Sequence, residues 1–168
     1  MIANRETCLT DEELIDAFET TTLPLTEWTH RAHVRVAYIY LKRHPFVEAV
    51  DQIRIGIQRY NKAHGIPSTP TGGYHETVTV AFTTLVASGR SRSETMDSTS
   101  FLALNPELLN KEILTKYYSK GLLSSASARR SFLAPDLNPL PSVYGDDGRN
   151  VTDDGLNRSP ITKKSGND

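Results

Sequence analysis

Thr26-Glu27-Trp28-Thr29-His30-Arg31-Ala32-His33-Val34-Arg35-Val36-Ala37-Tyr38-Ile39-Tyr40-Leu41-Lys42-Arg43 is the stretch on which the fold turns. Trp28, Ala32, Val36 and Ile39 or Tyr40 recur at helical spacing, while Arg31, Arg35 and Lys42 fall largely off that stripe. This is the pattern of an amphipathic helix with one face on a core. Thr26 is a suitable N-cap and Glu27 suits the positive end of the helix dipole. Lys42-Arg43-His44 suits the negative end, and Pro45 follows it.

The neighbouring segments read the same way. Thr10-Asp11-Glu12-Glu13 is a capping box, and Leu14, Ile15 and Phe18 follow at helical spacing. A first helix therefore runs from Asp11 to about Thr20. Phe46 to Ala63 carries Val47, Val50, Ile53, Ile57 and Tyr60 on one face, and His64-Gly65 closes it. From Tyr74 the signal is double. Thr77-Val78-Thr79-Val80 alternates like a strand, yet Val78, Phe82, Leu85 and Val86 fit a helix. No partner strand is visible, which favours helix. Asn105-Pro106 reads as N-cap and N1 of a helix or two short ones ending near Ser119. Gly121 breaks the pattern, and Ser124 or Ser125 caps a last short helix through Arg130. Ala134 to Pro141 is extended. Gly145 to Asp168 is polar and almost free of large apolar residues, the composition of a disordered tail. The expectation is one compact all-α domain, residues 10–144, of about five to seven helices, followed by a disordered tail, residues 145–168.

Charge and composition narrow the function. Lys and Arg number 19 against 20 Asp and Glu, for a net charge of -1. That balance argues against nucleic acid, which needs a basic face. A small, largely uncharged substrate is the expected partner, with a homodimer as an alternative association. Hydrophobic residues are 38% of the chain, below the roughly 45–50% of average domains, and the polar tail accounts for much of the deficit. No apolar run suits a signal peptide or a membrane span, so a cytoplasmic protein is expected. The single cysteine, Cys8, excludes an internal disulfide and a multi-cysteine zinc site.

Chemistry concentrates in the histidines. His30 and His33 stand at i, i+3 on the second helix, where two imidazoles can face one ion. His75 follows Gly72-Gly73 in Gly73-Tyr74-His75-Glu76-Thr77, at an expected helix start. Three neutral histidines with an open position suit catalytic zinc. Zinc would polarise a carbonyl or lower the pKa of bound water. Glu76 is a candidate ligand or general base, and Glu27 a candidate acceptor that orients an imidazole. The same histidines also read as ordinary hydrogen-bonding groups. His44 and His64 read as helix C-terminal caps. Tyr117 and Arg129 are candidate pocket residues, and Asp136 a candidate acceptor for Arg129 or Arg130. No phosphate loop, dinucleotide fingerprint or Gly-x-Ser-x-Gly elbow is present.

Taken together, Trp28-Thr29-His30 with His33, Gly73-Tyr74-His75-Glu76-Thr77, Tyr117-Tyr118-Ser119, Ala128-Arg129, and Pro135-Asp136-Leu137 with Pro139-Leu140-Pro141 resemble a family of small helical proteins of bacteria and fungi. The resemblance spans about Leu14 to Pro141 and implies that the separated motifs converge on one site. In size, helical character and three histidines the chain also resembles the fungal cyclopenases. These are haemocyanin-like zinc proteins that contract a benzodiazepine ring in alkaloid biosynthesis. That resemblance implies a zinc-dependent lyase of secondary metabolism, with His30, His33 and His75 as ligands and Glu76 moving protons. The alternatives are a metal-free enzyme using His30 or His75 with Glu76 as acid and base, and a non-enzymatic helical module that binds a partner or oligomerises.

Overall fold

The computed structural model describes residues 9–90, 96–145 and 149–151. Among them, seven α-helices and two 3-10 turns follow in order. They are α1 (Asp11–Glu19), α2 (His30–Arg43), α3 (Phe46–Ala63), α4 (Glu76–Arg90), α5 (Ser98–Leu104), the turns Pro106–Leu109 and Lys111–Lys116, α6 (Lys120–Leu123) and α7 (Ala126–Arg130). The described residues form no strand, so the helical reading of 77–80 holds and the strand reading falls. The chain is a single all-α domain. No described helix is long and apolar enough to cross a membrane.

Local chemistry explains most of the boundaries. The Thr10 capping box forms, with the Glu13 N–H on Thr10 Oγ1 at 3.2 Å and the Thr10 N–H on Glu13 Oε2 at 2.9 Å. Helix α3 ends in a Schellman motif. Gly65, at φ 65°, donates to the Lys62 carbonyl, and Ile66 donates to that of Asn61. The entry to α2 differs from the sequence expectation. Thr26 is no cap; residues 24–28 form a turn in which the Trp28 N–H reaches the Pro24 carbonyl. Thr29 is the N-cap, accepting from Ala32 N at 3.2 Å, so His30 and His33 both lie in the first turn of α2. Gly121 does not break a helix either: it lies inside α6, which Ser119 caps. Ser125 caps α7 as expected.

Helix α2 is the centre of the domain, packed against α1, α3, α4 and α5. Its apolar face is wider than the stripe in the sequence, because Val34 to Leu41 are all buried. Arg35, read as off the face, is 1% exposed. Its Nε donates to Ser98 Oγ at 2.7 Å and its Nη2 to the Leu9 carbonyl at 2.7 Å and Asp11 Oδ1 at 3.2 Å. Asp11 also accepts from the Ser98 N–H at 2.9 Å. A buried guanidinium is tolerable only when its charge and donors are matched in this way. The network ties α1, α2 and α5 into one unit.

Close approach sets the remaining contacts. A Cβ on Gly56 of α3 would stand 2.6 Å from Phe18 Cε1, so glycine lets α3 lie directly on that ring. After α7 the chain crosses the helices without regular structure. Leu137 N–H reaches the Tyr117 carbonyl, and the Tyr118 hydroxyl reaches that of Leu133 at 3.2 Å. The first residues of the expected tail still touch the domain. Tyr144 and Asn150 form an antiparallel bridge, Val151 N–H reaches the Val143 carbonyl, and Val143 is buried. The remainder of the expected tail, and Cys8, lie outside the described residues.

Candidate functional site

The first turn of α2 carries both histidines, and His30 meets α4 and the first 3-10 turn. His30 Nε2 lies 2.9 Å from the Leu108 carbonyl, and its ring meets Phe82 of α4 edge-on at 4.8 Å. A carbonyl only accepts, so Nε2 carries the hydrogen and Nδ1 keeps a lone pair. His33 is the mirror case. Its Nδ1 lies 2.7 Å from the Thr29 carbonyl, one turn back on its own helix, so Nε2 keeps the lone pair. Neither free nitrogen hydrogen-bonds to any described residue.

Burial favours the uncharged form of both rings. It lowers the His30 pKa against the opposing pull of the Leu108 carbonyl. His33 is pushed down to about 4, chiefly by burial, with the His30 and Lys111 charges adding to the fall. Trp28 lies over the His33 ring, centroids 3.8 Å apart. Trp28 in turn contacts Phe18 at 4.7 Å and Tyr60 at 5.0 Å. The expected Glu27 acceptor is not what orients either ring. Two main-chain carbonyls do so, through the N–H groups of His30 and His33.

His75 is placed differently. It is the N-cap of α4: its Nδ1 accepts from the Val78 N–H at 3.3 Å, while its carbonyl accepts from the Thr79 N–H. Its Nε2–H donates to the Leu123 carbonyl at 2.9 Å. Both ring nitrogens are therefore engaged. Burial lowers its pKa too. The structure does not gather His75 with His30 and His33: among the described residues no group of three or more His, Cys, Asp or Glu is positioned to hold a metal ion. Against a zinc ion the fit is thus divided. His30 and His33 have the neutral state, the free nitrogen and the fixed tautomer that a ligand needs, whereas His75 in this arrangement has no nitrogen to offer.

Glu76 is buried and clamped. Arg54 of α3 reaches it with Nε, 3.0 Å from both carboxylate oxygens, and with Nη2. Tyr74 donates its hydroxyl to Glu76 Oε2 at 2.6 Å. Asp51, three residues before Arg54, takes its Nη1. Burial and the Glu76 charge hold the Tyr74 phenol well above its ordinary range. A carboxylate bound by two arginine nitrogens and a phenol is committed as an acceptor, which leaves little capacity for proton transfer.

Arg129 fastens the loop before α4. Its Nε donates to the Pro70 carbonyl and its Nη1 to those of Gly72 and Tyr74, each at 3.1 Å. Tyr117 is half-buried against the core. Asp136 serves Ser119 rather than an arginine, accepting from its N–H at 2.8 Å and its hydroxyl at 2.5 Å. His44 pairs with Glu48 at 3.0 Å, and His64 lies 3.0 Å from the Thr21 carbonyl. The sequence reading missed Arg54, Tyr74 and the Leu108 carbonyl. Arg54 sits on the polar side of its helix pattern, and a main-chain carbonyl has no sequence signature. No family model, no curated protein and no solved structure matches the chain.

Proposed function

We propose that the chain is a metal-dependent enzyme acting on a small organic molecule, with zinc as the ion, in a lyase or ring-rearranging step like that of the cyclopenases. His30 and His33 are its metal ligands. One observation carries this reading. Each of these rings hands one N–H to a main-chain carbonyl and keeps the other nitrogen unengaged, the arrangement in which a histidine is oriented for a metal. Zinc held there would supply a Lewis acid for a carbonyl or epoxide oxygen, or activate water. Trp28 and Phe82 fix the ring planes. Tyr117 stays a candidate pocket residue. Arg129, Arg54 and Glu76 support the site by holding the start of α4. His75 is a ligand only if its ring leaves the Val78 amide and the Leu123 carbonyl.

Elemental analysis of purified protein tests this. Wild type should carry stoichiometric metal, and His30→Ala/His33→Ala should lose it. His75→Ala separates a two-histidine from a three-histidine ligand set. Protein without stoichiometric metal, or full occupancy in the double variant, overturns the assignment.

A second reading is favoured by the same hydrogen bonds seen from the other end. His30 and His75 tie helices to the carbonyls of Leu108 and Leu123, which are also structural fasteners of a non-enzymatic helical module. Under that reading the variants melt earlier and metal content is irrelevant to them.

A further inference from the structure

Among the described residues Arg31, Arg35, Arg54, Arg90 and Arg129 are the arginines that are not exposed. Four of them give their N–H groups to acceptors within the domain. Arg35 donates to Ser98, Asp11 and the Leu9 carbonyl, and Arg54 to Glu76 and Asp51. Arg90 donates to the Leu41 carbonyl, and Arg129 to those of Pro70, Gly72 and Tyr74. Arg31 is the exception. Its Nε is closed to solvent and has no hydrogen-bond partner, the one buried side-chain nitrogen or oxygen of the described residues in that state. Glu27, buried four residues earlier and engaged in a contact of its own, does not accept from it. A guanidinium cannot shed its proton to escape this cost. A buried donor left unmet costs free energy, and an arriving acceptor recovers it. Arg31 is part-exposed, so rotation about its outer bonds brings the Nε–Nη edge to an acceptor coming from solvent. It stands in the same first turn of α2 as His30 and His33, each of which keeps one nitrogen unengaged. Unused hydrogen-bonding capacity is thus concentrated on one turn of one helix.

We propose that a small-molecule ligand held at the first turn of α2 presents a carboxylate to the Nε–Nη edge of Arg31. The two parallel N–H groups of that edge match the two oxygens and the single charge of a carboxylate. This rests on the reading of that turn as the ligand site of the proposed enzyme. It narrows the substrate from any small organic molecule to a carboxylic acid, and departs from the uncharged ligand that the net charge suggests. Arg31 is a specificity-determining residue, and no bond is made or broken at it.

The test is titration of full-length protein with benzoate, and with benzamide as the uncharged control, read at the Arg31 Nε–H resonance by proton–nitrogen NMR. Arg31→Gln identifies that resonance. Benzoate should shift it to saturation while benzamide leaves it in place. Read at the main-chain amides of α2, benzoate affinity should fall about tenfold in Arg31→Gln and about threefold in Arg31→Lys, which keeps the charge and loses the two-pronged edge. The urea midpoint of Arg31→Gln should not fall, because the buried N–H has no partner to lose. Its metal content, measured on the same samples, should match wild type. A resonance that ignores benzoate, or answers equally to benzamide, overturns the carboxylate assignment, as does inorganic phosphate saturating where benzoate does not. A resonance that moves in Glu27→Gln and not with benzoate makes Glu27 its acceptor and removes the subsite. Protein that lacks metal while benzoate still shifts Arg31 overturns the metal reading alone.

Discussion

The start of α2 and the start of α4 carry motifs of the same kind, a histidine with polar neighbours in a helix's first turn. Their hydrogen bonds are spent in opposite ways. At α2, His30 and His33 each satisfy one nitrogen and leave one open. At α4, His75 uses both nitrogens, and Glu76 is held by Arg54 and Tyr74. One end retains chemical capacity, and the other has turned the same residue types into framework. Residue type states what a side chain can bind; only the count of its partners states what remains.

The largest effect expected from this contrast is at Glu76. Glu76→Ala leaves the Arg54 guanidinium buried beside Asp51 alone and should cost about 3–5 kcal/mol, measured by urea denaturation. A loss below about 1 kcal/mol, with activity gone, would return Glu76 to the reacting groups. Next is Gly73, at φ 77°, where a Cβ would stand 2.5 Å from the Pro67 carbonyl oxygen. Gly73→Ala should cost about 2–3 kcal/mol, since both the backbone and the contact oppose it. An unchanged melting midpoint would mean that the loop before α4 is not rigid.

Acid sharpens the α2 side. The folded His33 titrates at about 4 against 6.5 for an ordinary imidazole. Between those values the unfolded chain binds more protons, so stability rises with pH. The contribution is complete above about pH 6.5 and is lost as pH falls toward 4. It should amount to roughly 2 kcal/mol in metal-free protein, after allowing for the part-exposed ring. His33→Gln should flatten that slope in pH-dependent denaturation; an unaltered slope would assign it to other groups. The smallest effect belongs to the cap. His75→Ala should cost about 1 kcal/mol, and His75→Asn, which caps equally well, should recover most of it. Recovery of stability without recovery of metal would instead show that His75 is a ligand.

These contrasts mark how far the sequence could be read. The Thr10 box, the Phe46–Ala63 helix and its Gly65 ending were legible because each depends on residues within one or two turns. The entry to α2 was misread because Thr26 and Thr29 are equally good caps in isolation, and the turn closed by Pro24 selects between them. Arg35 was misread because its partners, Ser98 and Asp11, are distant in the chain. At the site, the juxtaposition of His30 and His33 was legible from their i, i+3 spacing. The commitment of His75 was not, because it depends on the carbonyl of Leu123 in another helix.

The sequence by itself determined the helical class, most helix limits and the residues with chemical potential, since periodicity and capping are local properties. The tertiary structure decided which of those residues stay available. Burial and long-range hydrogen bonds set the charge of His33, the tautomer of His30 and the confinement of Glu76. These depend on groups that meet only when the helices pack.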